Sequence, residues 1–436
     1  MTHRTILTLG AVLVLARVGA AQEQSLLDTG ATRITLDDAL TRAVARSPEL
    51  AQSEQSLVNA GESRRTAVGA FLPTISTNSG MSLRSTQRFD QATDRLVTGS
   101  SNSYNAGISA RYDLFRGGQR FSELNRAVAD LTAAQARRED QRFNVNFQTK
   151  NLFFQALRQE ELLTVARRRI DQATQSLEMT RTQQQVGGGT VSDTLRARLE
   201  FINARQAVLN AEVQTRAARF ALGRQVGVSE PVIPVAPDDL EPRPLLLSEG
   251  EVLEVAEGFA PSVRAAEAAF EAAREAYSSS KSVYIPSLSL SSGYNWSNQE
   301  ASFSGGSASW NLNLNLSYPL FNGFSREASI VRAEYSTRVA RLEEDDARLA
   351  SRQQTDAALR ALETAVLAID IAGEATAVAD EDLRVTRERY RVGVAIILDV
   401  VTSQIAADQA GVDLVNARYD YVLARAELEA ILGRDL

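Results

Sequence analysis

Tyr112-Asp-Leu-Phe-Arg-Gly-Gly118 opens a run that holds no Gly or Pro as far as Val186 and closes on Gly187-Gly-Gly-Thr-Val-Ser-Asp193. The chain writes the same thing again as Tyr318-Pro-Leu-Phe-Asn-Gly-Phe324 leading to Gly393-Val-Ala-Ile-Ile-Leu-Asp399. Phe115 to Gly187 and Phe321 to Gly393 are each 72 residues apart, so the middle of the repeat has a fixed length. Between its Gly-marked ends each copy predicts one helix of about 65 residues, on the order of 100 Å at 1.5 Å per residue. That far exceeds the three turns of an average globular helix. One such helix cannot bury itself, so partners must run alongside it.

The duplication extends outward from this ruler. Thr35 and Ser248, Pro48 and Pro261, and Pro73 and Pro286 all differ by 213, so two half-chains make up most of the sequence. Residues 1–21 read as a secretory signal: His3 and Arg4, an apolar run from Ile6 to Ala16, then small residues at Val18-Gly-Ala-Ala21. Residues 22–228 form the first repeat, with a helix, a β-hairpin over about 74–114, a long helix over about 119–186 and a return helix over about 190–223. Pro231, Pro234, Pro237, Pro242 and Pro244 mark an extended linker over 229–247. Residues 248–436 repeat the pattern, with the hairpin at about 287–320, the long helix at about 325–391 and the return helix at about 396–432. Thr35-Leu-Asp-Asp38 resembles a capping box, and the helix it starts is expected to pass Ser47-Pro48 and reach Ala70.

Composition removes whole classes of function. There is no Cys, the one His is His3 inside the expected signal, and the lysines are Lys150 and Lys281 alone. Nucleophile–His pairs and His or Cys metal sites are therefore unavailable, and neither an enzyme nor a cofactor is expected. The formal charge of −7 becomes −9 without Arg4 and Arg17, which argues against nucleic acid as a partner. No later stretch approaches 18 consecutive apolar residues, so a membrane could be crossed only by a β-barrel.

After Phe71-Leu-Pro73 and Tyr284-Ile-Pro286 the hydrophobic period changes to two. Leu290, Tyr294 and Trp296 alternate with Ser289, Ser291, Gly293 and Asn295; Trp310, Leu312, Leu314, Leu316 and Tyr318 alternate with Asn311, Asn313, Asn315 and Ser317. The first half repeats this with Ile75, Met81 and Leu83, then with Tyr104, Ile108, Tyr112 and Leu114 opposite Ser103, Asn105, Gly107 and Ser109. Four strands follow, each with one apolar and one small polar face. Their hairpin loops are expected near Asp94–Asn102 and Gln299–Ser307, the first longer by seven residues because the offset falls from 213 to 206. A soluble sandwich would use the apolar face as core. Tyr104 and Tyr112, and Trp310 and Tyr318, are each eight residues apart, roughly 26 Å along a strand. With Tyr294 and Trp296 they fit aromatic girdles around an outward apolar band, and the Ser/Asn face fits a watery lumen.

The long helices carry coiled-coil spacing at Phe143, Phe147, Phe154 and Leu157 and at Leu359, Leu362, Val366 and Ile369. The last return helix shows the clearest heptad, Val400, Ser403, Ala407, Ala410, Leu414, Ala417, Tyr421, Ala424, Leu428 and Ile431, and its first-half counterpart runs Leu195, Leu199, Ile202, Leu209 and Val213. The charge runs Arg167–Arg169 and Glu343–Asp346 read as solvated faces. Two strands per half make four per chain, whereas closed membrane barrels have eight or more. Two copies would give eight strands around an interior filled by side chains; three copies and twelve strands suit a polar lumen better.

The chain resembles the TolC-like outer-membrane efflux proteins. The resemblance rests on the Thr-Leu-Asp-Asp-Ala-Leu start with Ser-Pro following, the Phe-Leu-Pro step, the Tyr-x-Leu-Phe-x-Gly element in both halves, and Tyr390-Arg-Val-Gly with Asp399 beyond it. It implies an α+β membrane protein: a homotrimer whose twelve-stranded barrel crosses the outer membrane, amid outer-membrane lipid, and continues as a long periplasmic α-helical barrel. It also implies docking to a periplasmic adaptor and an inner-membrane pump. In such proteins the turns form the periplasmic tip, which places Gly187, Gly188, Gly189, Gly393 and Val394 against the adaptor and Asp193 and Asp399 around the constriction, with Tyr390 as a gating contact. Two positions depart from the family pattern, Thr402 where a second acidic ring can stand and Ala395 where an Arg can latch the tip. From the residues alone Asp193 and Asp399 read equally as helix caps. The leading function is an exit duct for efflux or type I secretion; a non-conducting envelope spacer and an outer-membrane hydrolase are the alternatives.

Overall fold

A computed structural model describes residues 32–92, 94–237, 240–245, 247–302 and 304–434. The expected signal at 1–21 lies outside the described residues. In chain order the elements are β1 (Arg33–Ile34), α1 (Leu36–Arg46), α2 (Pro48–Gly69), β2 (Thr74–Asp90), β3 (Arg95–Arg116), α3 (Gln119–Gln185) and α4 (Val191–Gln225). Then follow β4 (Ile233–Pro234), α5 (Glu249–Phe259), α6 (Pro261–Lys281), β5 (Ser287–Asn298), β6 (Ser307–Ser317), α7 (Ser325–Arg391) and α8 (Ile397–Leu432). Both ruler helices, α3 and α7, are 67 residues long. The chain divides into two units: one holds the described part of 1–46 with 146–243 and 362–426, the other 47–145, 244–361 and 427–434.

In the first unit β1 and β4 pair in parallel, Arg33 with Ile233 and Ile34 with Pro234. Ile34, Phe153, Phe154, Leu157, Leu222, Val226, Val232, Val415 and Tyr419 form its core, drawn from this small sheet and from α3, α4 and α8. Along α8 the heptad positions Val400, Ser403, Ala407, Ala417, Tyr421, Ala424 and Leu428 are buried. The stripe read from α4 is not. Leu195, Leu199, Ile202, Leu209 and Val213 are all more than half exposed, while Ala197, Glu200, Ala204 and Thr215 face inward. Small side chains let α4 approach its neighbours closely, so its larger ones are left outside.

In the second unit the helix expected over 35–70 breaks, because Pro48 offers no backbone N–H and starts α2 instead. Ser47 caps α2 by accepting from Leu50 N at 3.2 Å. Pro261 divides α5 from α6 in the same way. Ala265, Ala268 and Ala272 of α6 are buried, and Thr337 of α7 reaches across to donate to the Ala273 carbonyl at 3.0 Å.

The main sheet has the order β2-β3-β5-β6, all neighbours antiparallel. Its first hairpin reverses between Asp90 and Arg95, not over 94–102: Leu83 pairs with Asn102 and Asp90 with Arg95. Ser, Gly and Asn read as loop by composition, yet nothing prevents them from pairing, and the seven extra residues lengthen β2 and β3 to 17 and 22 residues against 12 and 11 for β5 and β6.

Candidate functional site

The sheet sorts its residues onto two unlike faces. On one, Tyr112, Leu290 and Leu314 lie in one row, and Ile108, Tyr294 and Trp310 in another. Tyr104 lies between Met81 and Asn298, Trp296 between Ala106 and Ala308, and Tyr318 falls one residue beyond β6. Trp310, Leu312, Leu314 and Leu316 are 59–75% exposed in the isolated chain, as are Ile75 and Met81. A bulge between Asp113 and Phe115 breaks the alternation, so Phe115 pairs with Leu288 while Leu114 is passed over. Strict parity from Tyr104 had put Leu114 there.

The other face is small and polar. Its rows run Thr74, Arg111, Ser291, Asn313; Ser76, Ser109, Gly293, Asn311; and Asn78, Gly107, Asn295, Ser309. Ser76 and Ser109 hydroxyls bond across the strands at 2.8 Å. Asparagines lie over the glycines: a Cβ on Gly107 would come within 2.5 Å of Asn295 Oδ1, and one on Gly293 within 2.7 Å of Asn311 Oδ1. Glycine at these points keeps an amide-covered wall flat. Both β2 and β6 are open edges, with backbone groups unpaired along one side of each.

The turns between the long and return helices have one construction. Gly187 and Gly393 take φ of 80° and 83°, the left-handed conformation glycine adopts at no steric cost. Gly188 N bonds Gln183 O and Val394 N bonds Arg389 O, both at 2.8 Å, which closes each helix as a Schellman motif. Three residues later α4 and α8 begin with an aspartate cap. Asp193 Oδ2 accepts from Thr190 N at 3.0 Å and from the Thr190 hydroxyl at 2.7 Å, and Asp399 Oδ2 accepts from Ile396 N at 3.2 Å. Asp193 is half-buried and Asp399 exposed. Gly187, Gly188, Gly393 and Val394 are exposed and Gly189 is partly covered. Tyr390 is buried with Ile397 and Val400, against Met179, Ala395 and Val401. Its hydroxyl is buried without a hydrogen-bond partner among the described residues. Burial first, and then the charge of Asp193, raise the phenol above its ordinary value. Around the turns Val186, Val191, Val392, Val394, Ile396 and Leu398 are exposed.

Two and a half turns along α8 from Asp399, the helices enclose a charged cluster. Arg169 of α3 donates from Nε and Nη2 to Glu200 Oε1 of α4 at 3.0 and 2.7 Å, and its Nε stands 3.4 Å from Asp408 Oδ2 of α8. Glu200 and Asp408 side chains are 6% and 12% exposed. Arg169 is thus occupied by Glu200, and Asp408 is pushed up to about 6, by burial first, with Glu200 and Asp380 adding to it against Arg169 and Arg387. The run Arg167–Arg169 is therefore not wholly a solvated face, and neither is Glu343–Asp346, where Glu344 is buried with Arg348 at 2.8 Å. A three-residue charge run on a helix spans 200° and must turn one member inward when partners cover both sides.

Sequence comparison places this geometry. A profile of the outer membrane efflux protein family matches residues 39–228 and 252–434, once in each half. The chain belongs to that family. It is an outer-membrane protein of the efflux and secretion class, and the family is one of transport proteins rather than enzymes. The outer membrane protein TolC of Vibrio cholerae is 24% identical over 91% of this chain and 90% of its own length. The protein CyaE of Bordetella pertussis is 27% identical over 91% of this chain and 81% of its own. A crystal structure of the outer membrane protein VceC from Vibrio cholerae shares the fold, with a TM-score of 0.78 at 17% identity over 92% of this chain and 96% of that one. The fold is thus the α+β fold of TolC-like channels.

Proposed function

We propose that three copies of this chain form the exit duct of a tripartite efflux or type I secretion system. The carrying observation is the four-stranded sheet with an apolar aromatic-bordered face, an Asn/Ser/Gly face and two open edges. Joining β6 of one copy to β2 of the next removes every edge and gives twelve strands, with the apolar face in outer-membrane lipid and the polar face around water. Tyr104, Tyr112, Tyr294, Trp296, Trp310 and Tyr318 then supply the girdles. The exposed stripe Leu195, Leu199, Ile202, Leu209 and Val213 on α4 supports assembly independently, since a neighbouring copy would bury it.

The long helices extend into the periplasm and end at the Gly187 and Gly393 turns. There Gly187, Gly188, Gly189, Gly393 and Val394, among exposed valines, Ile396 and Leu398, meet a periplasmic adaptor that links the duct to an inner-membrane pump. Conduction is passive, the pump supplying the energy. Asp193 and Asp399 ring the constriction; capping engages Oδ2 of each and leaves the other oxygen for a passing cation, and Tyr390 holds the turn helices together. A non-conducting spacer between membranes is the second reading, and it has no use for an amide-covered polar sheet face. Single-particle electron microscopy of the detergent-purified protein tests the proposal. Three-fold particles with a central channel are expected, and compact particles without a channel would sink it.

A further inference from the structure

The polar face of the sheet is uncharged over its middle rows, and Arg84 opposite Ser101 stands just beyond them toward the first hairpin. From the row of Ser76, Ser109, Gly293 and Asn311 to that of Ser82 and Ser103 it holds only Ser, Asn and Gly. Its end nearest α3 differs. Arg111 lies there between Thr74 and Ser291, followed by Asp113 opposite Ser289 and, past the bulge, Arg116 opposite Ser287. Arg116 and Asp113 pair at 3.8 Å and neutralise one another. The exposed side chain of Arg111 has no such counter-charge among the described residues, so each chain contributes one net positive charge at this level. The bulge creates this pattern: without it Arg116 would pass to the lipid-facing side and Asp113 would stand beside Arg111 alone.

We propose that Arg111 determines specificity within the barrel, three copies forming a cationic collar where the uncharged wall begins, selective for solutes that carry carboxylate, sulfonate or phosphate groups. The inference rests on the trimeric duct. Twelve strands about 4.8 Å apart and tilted by about 40° enclose a backbone cylinder of radius roughly 12 Å. A guanidinium projecting from that wall comes within one Debye length of the axis, about 8 Å at physiological ionic strength, so a solute passing along the barrel feels all three. The chain is otherwise acidic, with a formal charge of −7, and the collar is a local reversal of its overall sign.

The test is current block in planar bilayers by the trisulfonate dye pyranine, added separately on each side of the channel. The dye reaches the collar from the hairpin side without passing the tip. The wild type is expected to be blocked from that side at lower dye concentration than from the other. Arg111→Gln weakens hairpin-side block by roughly twentyfold, the Coulomb effect of three guanidiniums on three sulfonates at about 8 Å in water, screened over one Debye length. Arg111→Glu removes it, Arg111→Lys keeps most of it, and Asp113→Asn strengthens it by releasing Arg116. Block of Arg111→Gln equal to wild type, with unitary conductance unchanged, overturns the collar and leaves the duct standing. A wild type that carries no current overturns the duct and the collar with it.

Discussion

Replacing Asp408 by Asn should stabilise the helical unit at neutral pH, although it deletes a charge 3.4 Å from an arginine. Burial is the main cause that holds this carboxyl at about 6 instead of 3.8, and Arg169 offsets it only in part because its Nε and Nη2 already bind Glu200. At 1.36 kcal/mol per pH unit, the difference is worth ~3 kcal/mol per copy. The folded state binds its proton more tightly than the unfolded chain. The penalty is therefore absent below about pH 4, grows between 4 and 6, and is complete above 6. Helix unfolding followed by circular dichroism in detergent at pH 7.5 and 5.0 measures it. The wild type should gain stability on acidification, whereas Asp408→Asn should start higher at pH 7.5 and lose most of that dependence. An Asn variant less stable than wild type at pH 7.5 would show that the ion pair with Arg169 outweighs the cost of burying the ionised Asp408, and the reasoning would fall.

Leu314 and Asn313 are neighbours on β6 that point to opposite faces, with Leu314 midway between Trp310 and Tyr318. Leu314→Arg should cost ~2–4 kcal/mol per copy in lipid and deplete assembled protein in outer-membrane fractions, while Asn313→Arg should assemble normally; equal assembly of the two variants would refute the assignment of the faces. Tyr419 is buried and donates to Glu161 Oε1 at 2.8 Å, and burial with this carboxylate keeps its phenol protonated well above the ordinary range. Tyr419→Phe should cost about 1–3 kcal/mol, by the same unfolding measurement, with no change in that cost between pH 6 and 9.

The features legible in the sequence are those with short, strict periods. Alternation at Trp310, Leu312, Leu314 and Leu316 needs only the two-residue period of a strand, and Gly187 and Gly393 mark turns because each must adopt positive φ. The bulge at Asp113–Phe115 was hidden, since one passed-over residue leaves every residue type plausible on either side of it. The same holds for the length of β2 and β3, where polar residues on both faces give no alternation to follow. The cluster of Arg169, Glu200 and Asp408 joins the consecutive helices α3 and α4 to the distant α8, and spacing within one helix does not reveal it.

The α4 stripe shows a different limit. Periodicity reports that a helix has an apolar stripe but not which surface it meets, and α4 has two: Ala197 and Ala204 on one side, Leu195, Leu199, Ile202, Leu209 and Val213 on another. Hydrophobicity ranks the leucines first, yet within the chain the alanines win, because close approach recovers dispersion contacts along the whole helix and needs no large side chain. The leucines then span the wider gap to a neighbouring copy in the proposed trimer. On α8, where Val400, Tyr421 and Leu428 are buried together with Ala407, Ala417 and Ala424, one stripe serves both purposes, and the heptad there coincides with the core of a single chain. In the proposed trimer the two return helices therefore have matching positions in the repeat but unequal tasks: α8 closes the subunit, and α4 presents the surface on which the next subunit would pack.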